Sequence, residues 1–209
     1  MYLKIILDLG QGTSTGNDRA YVEDLMNQLP AGVVAKFQLF TDLPHLDPLD
    51  RDVFTMAYEI GQDRGIPVTA SVFDTDSLEF LMDFDPVFVK IACNLKWYGL
   101  IDKVPILTPV LISARDTRDY EDMRYEFAYR PVGVMCCIPE YPANMRQYDY
   151  SHNEWDLAGS ISDHTTDLEL VSKYKPLIWE RHYGKRGPDA IHAIDHKQLM
   201  EVVNAFGIT

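Results

Sequence analysis

The chain has 209 residues, 46% of them apolar, which suits one domain spanning 1–209 with a full-sized core. Nineteen basic against thirty-two acidic residues leave a net charge of −13. That balance excludes a broad nucleic-acid or anionic-membrane surface, since phosphate binding of that kind needs a basic face, but it allows one small anion held by a few local lysines. The three cysteines, Cys93, Cys136 and Cys137, are odd in number and lack metal-ligand spacing, which points to a reducing, cytoplasmic setting. The opening "MYLKIILDLG" has an apolar run too short for a signal sequence and broken at Asp8, and no later segment is long enough to span a membrane.

Short β-branched or apolar runs recur along the chain: "YLKIILDL" (2–9), "GVVAKFQLF" (32–40), "IPVTASVF" (66–73), "PVFVKIAC" (86–93), "VPILTPVL" (104–111), "PVGVMCCI" (131–138), "LAGSISDH" (157–164) and "PLIWERHY" (176–183). Amphipathic stretches such as "DRAYVEDLMNQL", "DRDVFTMAYEIGQDRG" and "DTDSLEFLMDF" separate them. Near-continuous apolar runs suit parallel strands covered on both faces, and alternation with helices predicts βα units. Eight such units favour a compact, single-domain (β/α)8 TIM barrel over an open sheet. The connections "NLKWYGLIDK", "PEYPANMRQYDYSHNEWD" and "TTDLELVSKYK" leave room for only short or irregular helices.

Barrel enzymes carry their chemistry at the C-terminal ends of the strands. Asp8 ends the first run, and Lys90 sits inside the fourth. Lys36 and Gln38 share a face of the second, Ser162 and His164 of the seventh, and Glu180 and His182 of the eighth, because side chains two apart on a strand point the same way. A lysine among such apolar neighbours must meet an anion or turn neutral. Two outcomes are open: structural pairing with Asp8 and Glu180, or a phosphate or carboxylate held by the lysines and a serine. His164 and His182, on neighbouring strands and each beside an acid, can share one metal ion.

These segments resemble the N-acetylneuraminate (sialic acid) synthase family, in order along the whole chain. "ILDLGQGTSTGN" is similar to that family's "AEIGINHNG", "VVAKFQLF" to "AVKFQTF", "VKIACN" to "YKIASGE" and "MCCIPEYPA" to "LHCVSEYPAP". "AGSISDHT" and "WERHYGKRGPDA" resemble "VGYSDHT" and "IEKHFTLDRNMPGPDH", and together these two are rather specific. The resemblance implies condensation of phosphoenolpyruvate (PEP) with N-acetylmannosamine or a related aldose, giving a nonulosonate-type sugar acid and phosphate. It implies a divalent metal, Mn²⁺ or Mg²⁺, on His164 and His182. Lys36, Lys90 and Ser162 match positions that hold PEP, and Cys93 stands at a phosphate-side serine. Asp8 replaces a strand-one glutamate near the carbon that takes up water, and Glu180 matches the acid before the second histidine. Lys90, Asp8 and Glu180 are thus the implied catalytic groups, while Gln38, Tyr141 and Asp189 match positions facing the sugar. Leu95 stands at a sugar-side glutamate, and the family's strand-five STGM motif has no clear counterpart. The chain ends after "DHKQLMEVVNAF" without the antifreeze-like domain that crosses a dimer in relatives, so a homodimer stays open. Two other readings remain: a metal-dependent aldolase-class enzyme with a different electrophile, and a degenerate, non-catalytic barrel that binds a sugar acid or phosphate.

Overall fold

The apolar runs become strands and the amphipathic stretches become helices. The computed structural model describes residues 4–152 and 159–208. The order is β1 (Lys4–Gly10), α1 (Gly12–Thr15), α2 (Arg19–Gln28), β2 (Val33–Leu39), α3 (Arg51–Arg64), β3 (Val68–Val72), α4 (Thr75–Met82), β4 (Val89–Ile91) and α5 (Leu95–Tyr98). It continues with β5 (Val110–Ala114), α6 (Thr117–Glu126), β6 (Val132–Cys137), α7 (Met145–His152), β7 (Ser160–Asp163), α8 (Glu169–Tyr174), β8 (Ile178–His182) and α9 (His196–Phe206). The strands form a closed parallel barrel in sequence order, β8 returning to β1 with Lys4 opposite Ile178 and Asp8 opposite His182. This is the (β/α)8 barrel that the alternation of elements predicts. No described helix is long and apolar enough to cross a membrane.

The strand boundaries differ most at β5. The run 104–111 was the expectation, but pairing covers Val110–Ala114. Pro105 and Pro109 have no N–H to give a ladder, and Thr108 N–H instead closes a turn on the Pro105 carbonyl at 2.9 Å. The ends of two other expected strands, at 2–3 and 157–158, lie outside the described residues.

Helix starts explain part of the acidic excess. Asp18, Asp74, Asp116 and Asp195 each cap a helix by accepting backbone N–H groups, and Asp195 with Gln198 forms a complete capping box on α9. Between helices and barrel lies the main core, where Phe54 contacts Phe37, Phe80 and Phe84 edge-on at centroid distances of 5.2–5.7 Å.

The barrel interior is layered along its axis. Its floor is apolar, with Ile6, Leu111 and Met135 in one buried cluster. Two residues further along the same faces the lining turns polar: Asp8 after Ile6, Lys36 after Val34, Ser113 after Leu111 and Cys137 after Met135. The strand period of two therefore carries each floor residue into a polar layer at the C-terminal mouth.

Candidate active site

A cavity of ≈ 250 Å³ opens in that mouth. Asp8, Lys36, Gln38, Lys90, Cys93, Tyr141, Ser162, His164, Glu180, His182 and Asp189 all line it, so every site residue expected from the sequence is gathered in one place. Leu95 is not; it starts α5 at 62% exposure and does not line the cavity.

Both lysines are buried, and each has found partners. Lys36 Nζ lies 2.6 Å from Asp8 Oδ2 and 3.0 Å from Ser71 Oγ, with Glu180 Oε1 at 3.8 Å. Gln38 also donates to Asp8 Oδ2, at 3.0 Å, and the Gly10 N–H to Oδ1, at 2.9 Å. Burial works against the Asp8 carboxylate, but Lys36, His182 and these hydrogen bonds outweigh it and hold the group well below the usual carboxylate range. Lys36 is shifted upward for the matching reason: burial opposes its charge, and Asp8 and Glu180 win.

Lys90 is less engaged. Its Nζ donates to Ser113 Oγ at 2.6 Å and to the Ile91 carbonyl at 3.3 Å, while its nearest carboxylate, Glu180 Oε2, stands 3.8 Å away. Glu180 Oε1 accepts from the Ser162 hydroxyl at 3.2 Å, and Oε2 is buried with no hydrogen-bond partner among the described residues. The lysines thus make one tight ion pair, Asp8–Lys36, and two loose ones, from Glu180 to Lys36 and to Lys90 at 3.8 Å each. Of the two cations, Lys90 has more to gain from an incoming anion.

At the ends of β7 and β8, the His164 and His182 ring centroids are 5.6 Å apart, with His182 Nε2 3.8 Å from Asp8 Oδ2. His164 Nδ1 lies 2.8 Å from the Ile138 carbonyl, which can only accept, so Nδ1 carries a proton. His182 Nδ1 is buried without a hydrogen-bond partner. Burial, with the His164 and His192 rings nearby, holds His182 well below the ordinary histidine range despite the Asp8 carboxylate. Two imidazoles on adjacent strands beside carboxylates are a donor set that fits a divalent cation. Tyr141 covers the pair, its ring 4.3 Å from that of His164 and 6.2 Å from that of His182. Burial raises the Asp189 carboxyl, with Asp8 adding to it, although the Ser14 hydroxyl donates to Oδ2 at 3.1 Å.

The sequence profile of the NeuB family matches residues 35–207. The chain belongs to the NeuB family. No curated protein sequence matches it. Among solved structures, the barrel is similar to the N-acetylneuraminic acid (sialic acid) synthetase of Leptospira borgpetersenii serovar Hardjo-bovis, with TM-score 0.73 and 19% identity over 97% of this chain and 82% of that one. It is similar to the spore coat polysaccharide biosynthesis protein SpsE of Bacillus subtilis, with TM-score 0.72 and 15% identity over 99% and 67%. The phospho-2-dehydro-3-deoxyheptonate aldolase of Thermotoga maritima follows, with TM-score 0.69 and 14% identity over 98% and 68%. At such identities the likeness establishes the fold.

In this NeuB-family barrel several site residues escape a reading of sequence alone. Ser71 on β3 and Ser113 on β5 hold the two lysines. Ser113 shows that strand five does deliver a hydroxyl to the site, although no STGM-like motif announces it. Both serines follow an inward-facing residue by two, a signal usable once the strands are placed correctly. Cys137 joins Cys93 at the cavity wall. A hydrogen bond from Cys93 lowers the Cys137 thiol against burial, and the Cys137 sulfur in turn raises His164 against its own burial.

The SDHT and ERH segments also have a second face. Asp163 and Arg181, between the cavity residues, point outward and form a fully buried pair with Nη1–Oδ2 at 2.7 Å. Trp179 Nε1 donates to the same oxygen at 2.9 Å, and the Thr165 hydroxyl to Oδ1 at 2.8 Å. The long connection after β6 contributes a brace as well. Tyr148 of α7, fully buried, donates its hydroxyl to the Ser162 carbonyl at 2.8 Å and accepts from the Ile138 and His164 N–H groups at 3.4 Å each. It pins the ends of β6 and β7, and with them His164. Part of that connection, residues 153–156, lies outside the described residues.

Proposed function

We propose that this NeuB-family chain is a sialic-acid-synthase-type enzyme, joining PEP to an aldose such as N-acetylmannosamine with release of phosphate. The observation that carries this reading is the pairing, in one barrel mouth, of two buried lysines with two buried histidines on adjacent strands. The lysine side suits an anion and the histidine side a divalent cation, Mn²⁺ or Mg²⁺, held by His164 and His182. When bound, that ion would supply Lewis-acid polarisation of the sugar aldehyde.

The chain's own groups divide the remaining tasks. Lys90, Lys36 and Ser162 bind the phosphate and carboxylate of PEP, with Ser71 and Ser113 holding the ammonium groups in place. C3 of PEP forms the new bond to the aldehyde carbon, and the carbonyl oxygen gains a proton. Water then adds to C2, and the C2–O bond to phosphate breaks. The balance is PEP plus aldose plus water giving sugar acid plus phosphate. Asp8 Oδ2 already accepts two hydrogen bonds, whereas Glu180 Oε2 accepts none, so Glu180 has the spare lone pair to take the proton of the attacking water. Asp8 keeps Lys36 charged and in place. Gln38, Tyr141 and Asp189 line the side that would face the sugar.

The test is phosphate release from PEP with Mn²⁺, assayed against a panel of aldoses. Aldose-dependent release, with a C–C-bonded sugar acid as product, is the expected result. No aldose-dependent release with any member, despite measurable PEP and Mn²⁺ binding, would favour the non-catalytic barrel.

A further inference from the structure

A third imidazole, His192, reaches the histidine wall from beyond β8. The segment after β8 forms a 3₁₀ turn, Pro188–Ile191, entered through Gly187 at φ 75°. A side chain at Gly187 would drive its Cβ to 2.5 Å from Ser14 Cα, so glycine is what allows the turn to press against α1. In 3₁₀ geometry side chains three apart eclipse, which puts Asp189 and His192 on one face. The chain then returns to β8, where the Ile194 N–H donates to the His182 carbonyl at 2.8 Å.

The result is a cluster of three donors. Asp189 Oδ2 lies 3.7 Å from His182 Nδ1, and Asp189 Oδ1 lies 3.8 Å from His192 Nε2. One ligand atom from each of the three residues falls within 4.8 Å of the others, and the two rings have centroids 4.7 Å apart. His192 is 1% exposed, and both its nitrogens are buried with no hydrogen-bond partner among the described residues. An imidazole in that state has given up its hydrogen bonds to water without replacing them, a costly arrangement unless a ligand meets its nitrogens. Donors about 2.1 Å from a cation at tetrahedral or octahedral angles stand roughly 3.0–3.4 Å apart, so a small inward shift of this cluster would close it on an ion.

We propose that His192 is a further ligand of the divalent cation, joining Asp189 to the seat that His164 and His182 begin. This assignment rests on the metal-dependent reading of the site. It moves Asp189 from the sugar side to the metal side.

The test is a Mn²⁺ titration of the full chain, followed by the EPR signal of the free ion, for wild type, His192→Gln, His192→Phe and His164→Gln. His192→Phe keeps a ring in the buried slot and removes both nitrogens. We expect at least ten-fold weaker Mn²⁺ binding in both His192 variants, with the thermal melt of the phenylalanine variant close to wild type. Long-range ¹H–¹⁵N spectra of the wild-type histidine rings during a Zn²⁺ titration need no variant to fold, and the His182 and His192 nitrogens should both shift. Unchanged Mn²⁺ affinity in folded His192 variants, or a Zn²⁺ titration that moves His182 and not His192, overturns the assignment and leaves His164–His182 as the seat. A wild-type chain that takes up neither ion overturns the metal-dependent reading as well.

Discussion

Asp163→Ala tests whether the outward face of the two histidine-bearing strands holds the site together. Arg181 and Asp163 are both 0% exposed, and Arg181 Nε and Nη2 have no hydrogen-bond partner, so Asp163 is the anion on which this guanidinium depends. The variant would also strip acceptors from Trp179 Nε1 and from the Thr165 hydroxyl and N–H. Removing one partner of a buried ion pair costs about 3–5 kcal/mol. For a chain of this size each kcal/mol lowers Tm by about 2–4 °C, so the melt should fall by about 6–20 °C. Urea unfolding and thermal melts by circular dichroism read both quantities. Asp163→Leu combined with Arg181→Met should recover at least half of the loss, because no charge is then left buried. Mn²⁺ affinity should weaken in the single variant, since His164 and His182 adjoin the broken pair. A single-variant loss under about 1 kcal/mol, or a double variant less stable than the single, would refute the reasoning.

Lys36→Met and Lys90→Met should both abolish PEP binding by calorimetry, but differ in stability. The first strands Asp8, paired at 2.6 Å, and should cost about 3–5 kcal/mol; the second breaks only a 3.8 Å approach and should cost clearly less, so equal melts would argue against the division drawn between the two lysines. Asp74 caps α4 and also accepts from Thr41; burial opposes its charge, yet the Ser77 and Thr41 N–H groups hold its carboxyl below the ordinary 3.8. Its contribution is therefore present above pH 3.8 and lost as pH falls through the depressed value; Asp74→Ala should cost about 1 kcal/mol at pH 7, with the gap to wild type closing in acid melts. Leu95→Glu should leave preference among aldoses unchanged in competition assays, because the side chain does not line the cavity.

Much of the barrel was legible in the one-dimensional pattern. Alternation of β-branched runs with capped amphipathic stretches is a local property, and it marked the eight strands and the closed architecture. The pairs Lys36–Gln38, Ser162–His164 and Glu180–His182 were readable for the same reason, since residues two apart on a strand share a face whatever lies around them. Strand five slipped because apolar character continues through Pro105–Pro109, while the ladder needs the N–H groups those prolines lack. Closure of the barrel decided the rest. Whether Lys36 would be paired or waiting for a ligand depended on Asp8, twenty-eight residues away, arriving opposite it in the β1–β2 register. Likewise Ser113 reached Lys90, and Asp163 reached Arg181, only through neighbouring strands. The SDHT motif divides between two faces: Ser162 and His164 line the cavity, while Asp163 turns outward to lock the strands. His192 carried no strand signal at all. It stands beside His182 because a 3₁₀ turn eclipses it with Asp189 and the backbone bond from Ile194 folds that turn onto the end of β8, an arrangement that exists only once the chain is packed in three dimensions.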